Sequence, residues 1–280
     1  MSLQRVIIAL TAFAAVAGVL FVDWRFETHI GSLLLLTALS ALALAEVYPL
    51  LGNLGFRSFP ATGVAGLVLL FLARGGLPLA GLDSFRTVAV VLTLFACFVA
   101  GPLVVPMFRA GAKEADGREE FERAATTAFG LLLVWFLLSF LLELRLLPMG
   151  LSLAVLLVLS VKIGDSTAYL VGRTVGKHKL TWISPKKTWE GAAGCLAGSL
   201  AVCLGLGIPF GFPWWGMLVF GTLTSVAGQL GDLLESLLKR RAGVKDSGTL
   251  FKEIGGFLDI LDSLLLAAPV GYLVAVLLLV

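Results

Sequence analysis

Between Gly231 and Ser263 the apolar C-terminal half of the chain is interrupted by a polar interval. It carries Asp232, Asp246, Asp259 and Asp262 together with Lys239, Arg240, Arg241, Lys245 and Lys252. Carboxylates offer hard oxygen ligands to magnesium, and lysine or arginine neutralises phosphate oxygens, so one stretch holds both halves of a magnesium-phosphate chemistry. If helix resumes after Gly255-Gly256, Asp259 and Asp262 become i, i+3 neighbours near its N-terminus. Asp232 and Glu235 have the same separation before the loop. An acid at a helix start could serve only the helix dipole, worth about 0.3–1 kcal/mol. Asp262, however, is followed by the apolar run Leu264 to Val280, and an ionised group costs about 2.5–3.5 kcal/mol at the centre of a membrane helix. A dipole role does not offset that, which favours a chemical one.

The elements that must position these groups are membrane helices. The 280 residues are 59% hydrophobic and 14% charged, with a mean hydropathy of +1.00, far from the roughly 25% charged residues of soluble domains. Apolar runs near 6–22, 30–50, 61–74, 87–108, 126–147, 151–172, 191–212, 214–231 and 258–280 predict an all-α, polytopic membrane protein with about nine transmembrane helices. It reads as a single membrane domain, 1–280, with N-terminal helices over 1–125 and the chemistry-bearing helices and loops over 126–280. Ala15-Val16-Ala17 resembles a signal cleavage site but sits inside the first apolar run, so that run is expected to be a retained span. An N-terminus in the cytoplasm puts the loops at 51–60, 109–125, 173–190 and 232–257 on one side, where they and Arg5 gather sixteen of the 21 basic residues. That asymmetry predicts cytoplasmic loops with access to cytoplasmic nucleotides.

In the sixth run, Lys162, Asp165, Ser166 and Tyr169 could be an ion pair across one turn or the lining of a polar cavity. The loop Ser184-Pro185-Lys186-Lys187-Thr188-Trp189-Glu190-Gly191 could, as bare composition, hold anionic headgroups. Gly191, Gly194 and Gly198 suit close helix packing. The mixed charges of 109–125 read as a solvated surface helix. Cys97, Cys195 and Cys203 lie in or beside apolar runs and suggest neither a disulfide framework nor a zinc site. His29 and His178 are too far apart to suggest a metal pair. Glycine-rich nucleotide loops are absent, so a nucleotide would be held by metal and basic side chains.

The stretch Ser236 to Asp262 resembles the signature of the phosphatidate cytidylyltransferases, the CDP-diacylglycerol synthases. Ser236, Lys239, Arg240, Lys245, Asp246, Gly248, Gly255, Gly256, Asp259 and Asp262 stand in register with it. Asp165 to Tyr169 and Ser184 to Gly191 are similar to a second conserved region, and Glu46 with Gly55-Phe56-Arg57 is a fainter echo further upstream. Three positions depart: Lys252 stands where the signature has proline or glycine, Ile254 where it has histidine, and Ile260 where it has arginine. The last two exchange possible phosphate or carboxylate partners for apolar side chains.

The resemblance implies a nucleotidyltransferase that condenses CTP with phosphatidic acid to give CDP-diacylglycerol and pyrophosphate. It further implies magnesium, with a second cation left open, on Asp232, Asp259 and Asp262. Lys239, Lys245, Asp246 and Ser236 are the implied catalytic set, and Arg240, Lys186, Lys187, Ser184 and Asp165 the implied substrate contacts. The expected partners are CTP, phosphatidic acid with its surrounding membrane lipid, and a second copy in a homodimer, without nucleic acid. The expected place is the cell's inner membrane, multi-pass, with the site facing the cytoplasm. Two alternatives stay open: a divergent or inactive paralogue acting on another lipid phosphate, and a transporter whose intramembrane polar groups line a path.

Overall fold

The computed structural model describes residues 16–79, 81, 83–104, 114–248 and 256–280. Among them every regular element is helical, apart from one isolated bridge between Lys179 and Thr188. After helical residues 16–25 come α1 (Ile30–Asn53), α2 (Pro60–Leu79) and α3 (Ser84–Val104). Then follow α4 (Glu114–Leu131), a π-helical turn Leu132–Phe136, α5 (Leu137–Leu146), α6 (Gly150–Thr174), α7 (Trp189–Gly207), α8 (Trp214–Arg241) and α9 (Phe257–Leu278). Helices are the expected solution, because hydrocarbon offers no partners to backbone polar groups and a helix satisfies them internally.

Among the described residues, seven helical stretches are long and apolar enough to cross a membrane: Ile30–Asn53, Pro60–Pro78, Gly117–Leu146, Gly150–Thr174, Trp189–Gly207, Trp214–Arg241 and Phe257–Leu278. The chain is therefore an all-α, multi-pass membrane protein. Of the nine runs read from hydropathy, the first begins outside the described residues. The fourth is an apolar helix with a shorter stretch, Arg86–Gly101. Of the surface helix expected over 109–125, the part from Glu114 is helical, its charged residues 118–123 are exposed or half-buried, and the helix runs on through the π-turn into the apolar α5. Arg109 and Lys113 of that interval lie outside the described residues.

Two compact units divide the chain: Met1–Phe136 with Ala242–Leu258, and Leu137–Arg241 with Asp259–Val280. In the first, Asp23 accepts from the amides of Gly31 (2.9 Å) and Ser32 (2.7 Å), capping α1 with a carboxylate from the preceding segment. Tyr48 of α1 is buried and donates to the carbonyl of Thr127 at 3.1 Å. Its ring fills the space left by two glycines, since a Cβ on Gly63 would lie 1.8 Å from its hydroxyl and one on Gly130 2.7 Å from its ring. Glu46, two residues earlier, is also buried. It accepts from the Ser247 hydroxyl (3.0 Å) and from the amides of Phe257 (3.1 Å) and Leu258 (2.9 Å).

In the second unit, α6 and α7 lie backbone against backbone. A Cβ on Gly194 would come within 2.8 Å of Val171, and one on Gly198 within 2.2 Å of the Thr167 hydroxyl. That hydroxyl donates to the Gly194 carbonyl at 2.9 Å, and Ser199 donates to the Ser160 carbonyl at 2.9 Å. The glycine spacing in α7 thus serves close approach. Along α8, Gly216, Phe220, Thr224, Ala227 and Gly231 turn inward while Leu218, Leu223, Val226 and Leu230 face outward. Such an apolar outer face is what a membrane helix presents to lipid.

Candidate active site

The site forms within the second unit from α6, the loop ahead of α7, α8 and the first turns of α9. The loop is held locally. Thr188 caps α7 by accepting from the Gly191 amide at 3.1 Å, the Lys187 amide donates to the Ser184 carbonyl at 3.0 Å, and the Trp189 amide donates to the His178 carbonyl at 2.9 Å. Glu190 adds a contact to His178 Nδ1 at 2.6 Å. This tight turn sends Lys187 inward, its Nζ 2.5 Å from Oδ2 of Asp232, and leaves Lys186 exposed.

The carboxylates converge where α8 meets α9. A Cβ at Gly231 would lie 2.5 Å from the Asp262 carbonyl oxygen, so the two backbones approach as only glycine permits. The next residue is Asp232. Asp232, Glu235 and Asp262 each place a carboxylate oxygen within 4.8 Å of the others. Oxygens that ligate magnesium at about 2.0–2.1 Å stand roughly 3–4 Å apart around an octahedron, so small side-chain adjustments close the set on an ion. Glu235 is the decisive member. Only 1% of it is exposed, so its carboxylate is withdrawn from water. Its close neighbour is Lys239 Nζ, 2.6 Å from Oε2 as an ion pair. A buried carboxylate is a fitting donor for a hard cation.

Lysines balance the acids. Lys239 also reaches Oδ1 of Asp259 at 2.5 Å. Lys162 donates to the Ser263 hydroxyl at 2.9 Å and stands 3.7 Å from Asp165 and 4.0 Å from Asp262. Ser263 donates in turn to Asp165 Oδ2 at 3.0 Å. Ser236 donates to Asp232 Oδ1 at 3.4 Å.

Of the residues singled out in the sequence, the second unit thus joins Asp165, Lys187, Asp232, Ser236, Lys239, Asp259 and Asp262 in one network. The Ser184 carbonyl shapes the loop, and Arg240 is exposed at the end of α8. Lys245 and Asp246 are exposed in the other unit. Lys252 and Ile254 lie outside the described residues, and Ile260 is exposed on α9. In the implied triad of Asp232, Asp259 and Asp262, the ligand-spaced set has Glu235 as its third member, while Asp259 is engaged by Lys239. Glu235 has a sequence signal in its i, i+3 spacing to Asp232 and i, i+4 spacing to Lys239. Ser263 has none, because its partners are 98 and 101 residues away.

The described groups offer a hard-cation donor set flanked by ammonium groups, carried on membrane-length helices. The chain is similar to several known proteins. A protein named phosphatidate cytidylyltransferase from Synechocystis is 41% identical over 134 residues, which is 47% of this chain and 46% of that protein. One of the same name from Brucella abortus is 44% identical over 131 residues, 45% of this chain and 47% of its own length. A third, from Staphylococcus saprophyticus, is 45% identical over 124 residues, 43% of this chain and 47% of its own. The chain therefore spans just under half the length of these relatives. The profile of the cytidylyltransferase family matches residues 3–278. On a match of that extent, the chain belongs to the cytidylyltransferase family.

Proposed function

We propose that the chain transfers a cytidylyl group from CTP to phosphatidic acid, giving CDP-diacylglycerol and pyrophosphate, at the cytoplasmic face of the cell's inner membrane. The observation that carries this reading is the ligand-spaced set Asp232, Glu235 and Asp262, the last two buried, with Lys187 and Lys239 on its edge, in a member of a cytidylyltransferase family. The names of the matched relatives point to the same lipid substrate.

In this reaction an oxygen of the lipid phosphate attacks the α-phosphorus of CTP. A new P–O bond forms, the bond from the α-phosphorus to the bridging oxygen breaks, and pyrophosphate leaves with the electron pair. Asp232, Glu235 and Asp262 would hold magnesium, with Asp259 beside them. The chemistry a bound magnesium supplies is neutralisation and alignment of the phosphate oxygens. Lys187 and Lys239 are poised to give up their carboxylates and take phosphate oxygens of the nucleotide and the departing pyrophosphate. Arg240 and Lys186, both exposed, are suited to receive a triphosphate arriving from water, and Ser236 orients Asp232. The excess of basic residues in the loops expected on one side supports a site where a headgroup and a soluble nucleotide meet. Homodimer formation is proposed on the family resemblance alone.

The test is purified protein in detergent with labelled CTP and a panel of lipid phosphates, with and without magnesium. CDP-lipid should form with phosphatidic acid and require the divalent ion. Asp232→Asn and Asp259→Asn should abolish it while the protein still inserts into membranes. Full turnover by Asp232→Asn would remove its carboxylate from the metal assignment, full turnover by Asp259→Asn would remove Asp259 from the site, and absence of CDP-lipid with every lipid phosphate would remove the enzymatic reading.

A further inference from the structure

We infer that Lys162 is the resident monovalent cation of this site, an ammonium group tethered to α6 that does the work of a free second cation and leaves a single divalent ion to complete the charge balance. The inference rests on the metal reading proposed above.

Lys162 lies at the midpoint of α6, where a lysine is costly unless partnered. Its stem is long enough to carry the ammonium toward an interface, yet the group stays inside. The side chain is 35% exposed, and its shortest polar contact is not the acid one turn away on its own helix. Nζ donates to Ser263 Oγ on α9 at 2.9 Å, and stands 3.7 Å from Asp165 Oδ2 and 4.0 Å from Asp262 Oδ1. The Ser263 hydroxyl passes its own proton toward Asp165 at 3.0 Å, which leaves a lone pair for Lys162. The ammonium is therefore seated among two carboxylates and a hydroxyl, an oxygen environment such as a bound monovalent ion would have. One of those carboxylates, Asp262, also belongs to the ligand-spaced set with Asp232 and Glu235. Two cations sharing one carboxylate is the arrangement of a paired-cation site, with one of the two covalently supplied.

The charge count agrees. Among the described residues the network holds five carboxylates, of Asp165, Asp232, Glu235, Asp259 and Asp262, against three ammonium groups, of Lys162, Lys187 and Lys239. With all ionised, two negative charges remain, which one divalent ion balances. Without Lys162 three remain, and a divalent ion leaves one uncompensated at membrane depth. A free monovalent cation would then be needed.

The experiment uses the full chain in detergent. Wild-type protein should bind one Mn2+ by electron paramagnetic resonance titration. It should also turn over equally, within about twofold, when potassium is replaced by choline, an ion too large for the site. Lys162→Ala should lose about 100-fold in choline, the scale for removing one positioned electrostatic group. It should recover at least about tenfold with ethylammonium or potassium, which can occupy the vacated place. Lys162→Met keeps the stem without the charge. It should bind Mn2+ no more weakly than wild type, with a Mn2+ spectrum that responds to potassium where the wild-type spectrum does not. A wild-type requirement for potassium overturns the inference whatever the variants do. So does undiminished turnover of Lys162→Ala in choline, or a loss that no monovalent cation reverses. If wild-type protein binds no Mn2+, the metal reading itself falls; if it binds one and the Lys162 variants show no cation response, only the present inference falls.

Discussion

The crossing of α8 and α9 at Gly231 yields the sharpest test of how the fold makes the site. In Gly231→Ala the new methyl carbon would lie 2.5 Å from the Asp262 carbonyl oxygen and 3.4 Å from the Ser263 Cα. Ordinary contact begins near 3.4 Å, so the backbones must part by up to about 0.9 Å at this point, and overpacking of this kind costs about 1–3 kcal/mol. Gly228→Ala, one turn earlier on the same face, places its methyl 3.5 Å from the Ser263 carbonyl, which is ordinary contact. Both substitutions gain the same helix propensity, up to about 1 kcal/mol, which cancels between them. The difference in stability should therefore be about 1–3 kcal/mol in favour of Gly228→Ala. The same displacement moves Asp262 away from Asp232, and a misplacement near 1 Å can cost on the order of 100-fold in rate. The assay pairs thermal unfolding in detergent with CDP-lipid formation and Mn2+ affinity for each variant. Equal stability and equal turnover of the two alanine variants would refute the argument that backbone approach at Gly231 sets the ligand spacing.

Further outcomes follow from individual contacts. Lys239→Met removes the cation shared by Glu235 and Asp259; stranding buried carboxylates costs about 3–5 kcal/mol, so its melting temperature should fall, and saturating magnesium should restore part of the loss if Glu235 faces the ion. Glu235→Gln should weaken Mn2+ binding while leaving membrane insertion intact, and unchanged Mn2+ affinity would exclude it as a ligand. Glu46→Ala removes three hydrogen bonds to a buried carboxylate. At about 1.5–3 kcal/mol for each bond to a charged group, it should rank among the most destabilising single changes in the first unit by unfolding or limited proteolysis. Gly256→Ala should mimic it, because the added Cβ would meet the Glu46 carboxylate at 2.2 Å.

Much of this protein is legible before any fold is known, and the reason is local physics. Apolar runs of membrane length must be helices, because nothing in hydrocarbon satisfies an open backbone. Asp232, Glu235 and Lys239 share a helix face by spacing alone, as do Asp259 and Asp262. The charges within 109–125 mark a solvated helix by composition alone, whereas its continuation through the π-turn at Leu132–Phe136 into an apolar helix is read only from the structure.

Other features were settled only when distant segments met. That Glu235 joins Asp232 and Asp262 while Asp259 turns to Lys239 depends on where α9 crosses α8, and that crossing is set by the missing side chain of Gly231. Lys162 looks from the sequence like half of an ion pair with Asp165, but its hydroxyl partner is 101 residues on. Glu46 looks like an isolated acid in an apolar run until Ser247, Phe257 and Leu258 arrive as donors from more than 200 residues away. Helical periodicity tells which groups travel together on one face. Which faces then meet is decided by close packing between helices, a non-local term that no spacing along the chain encodes.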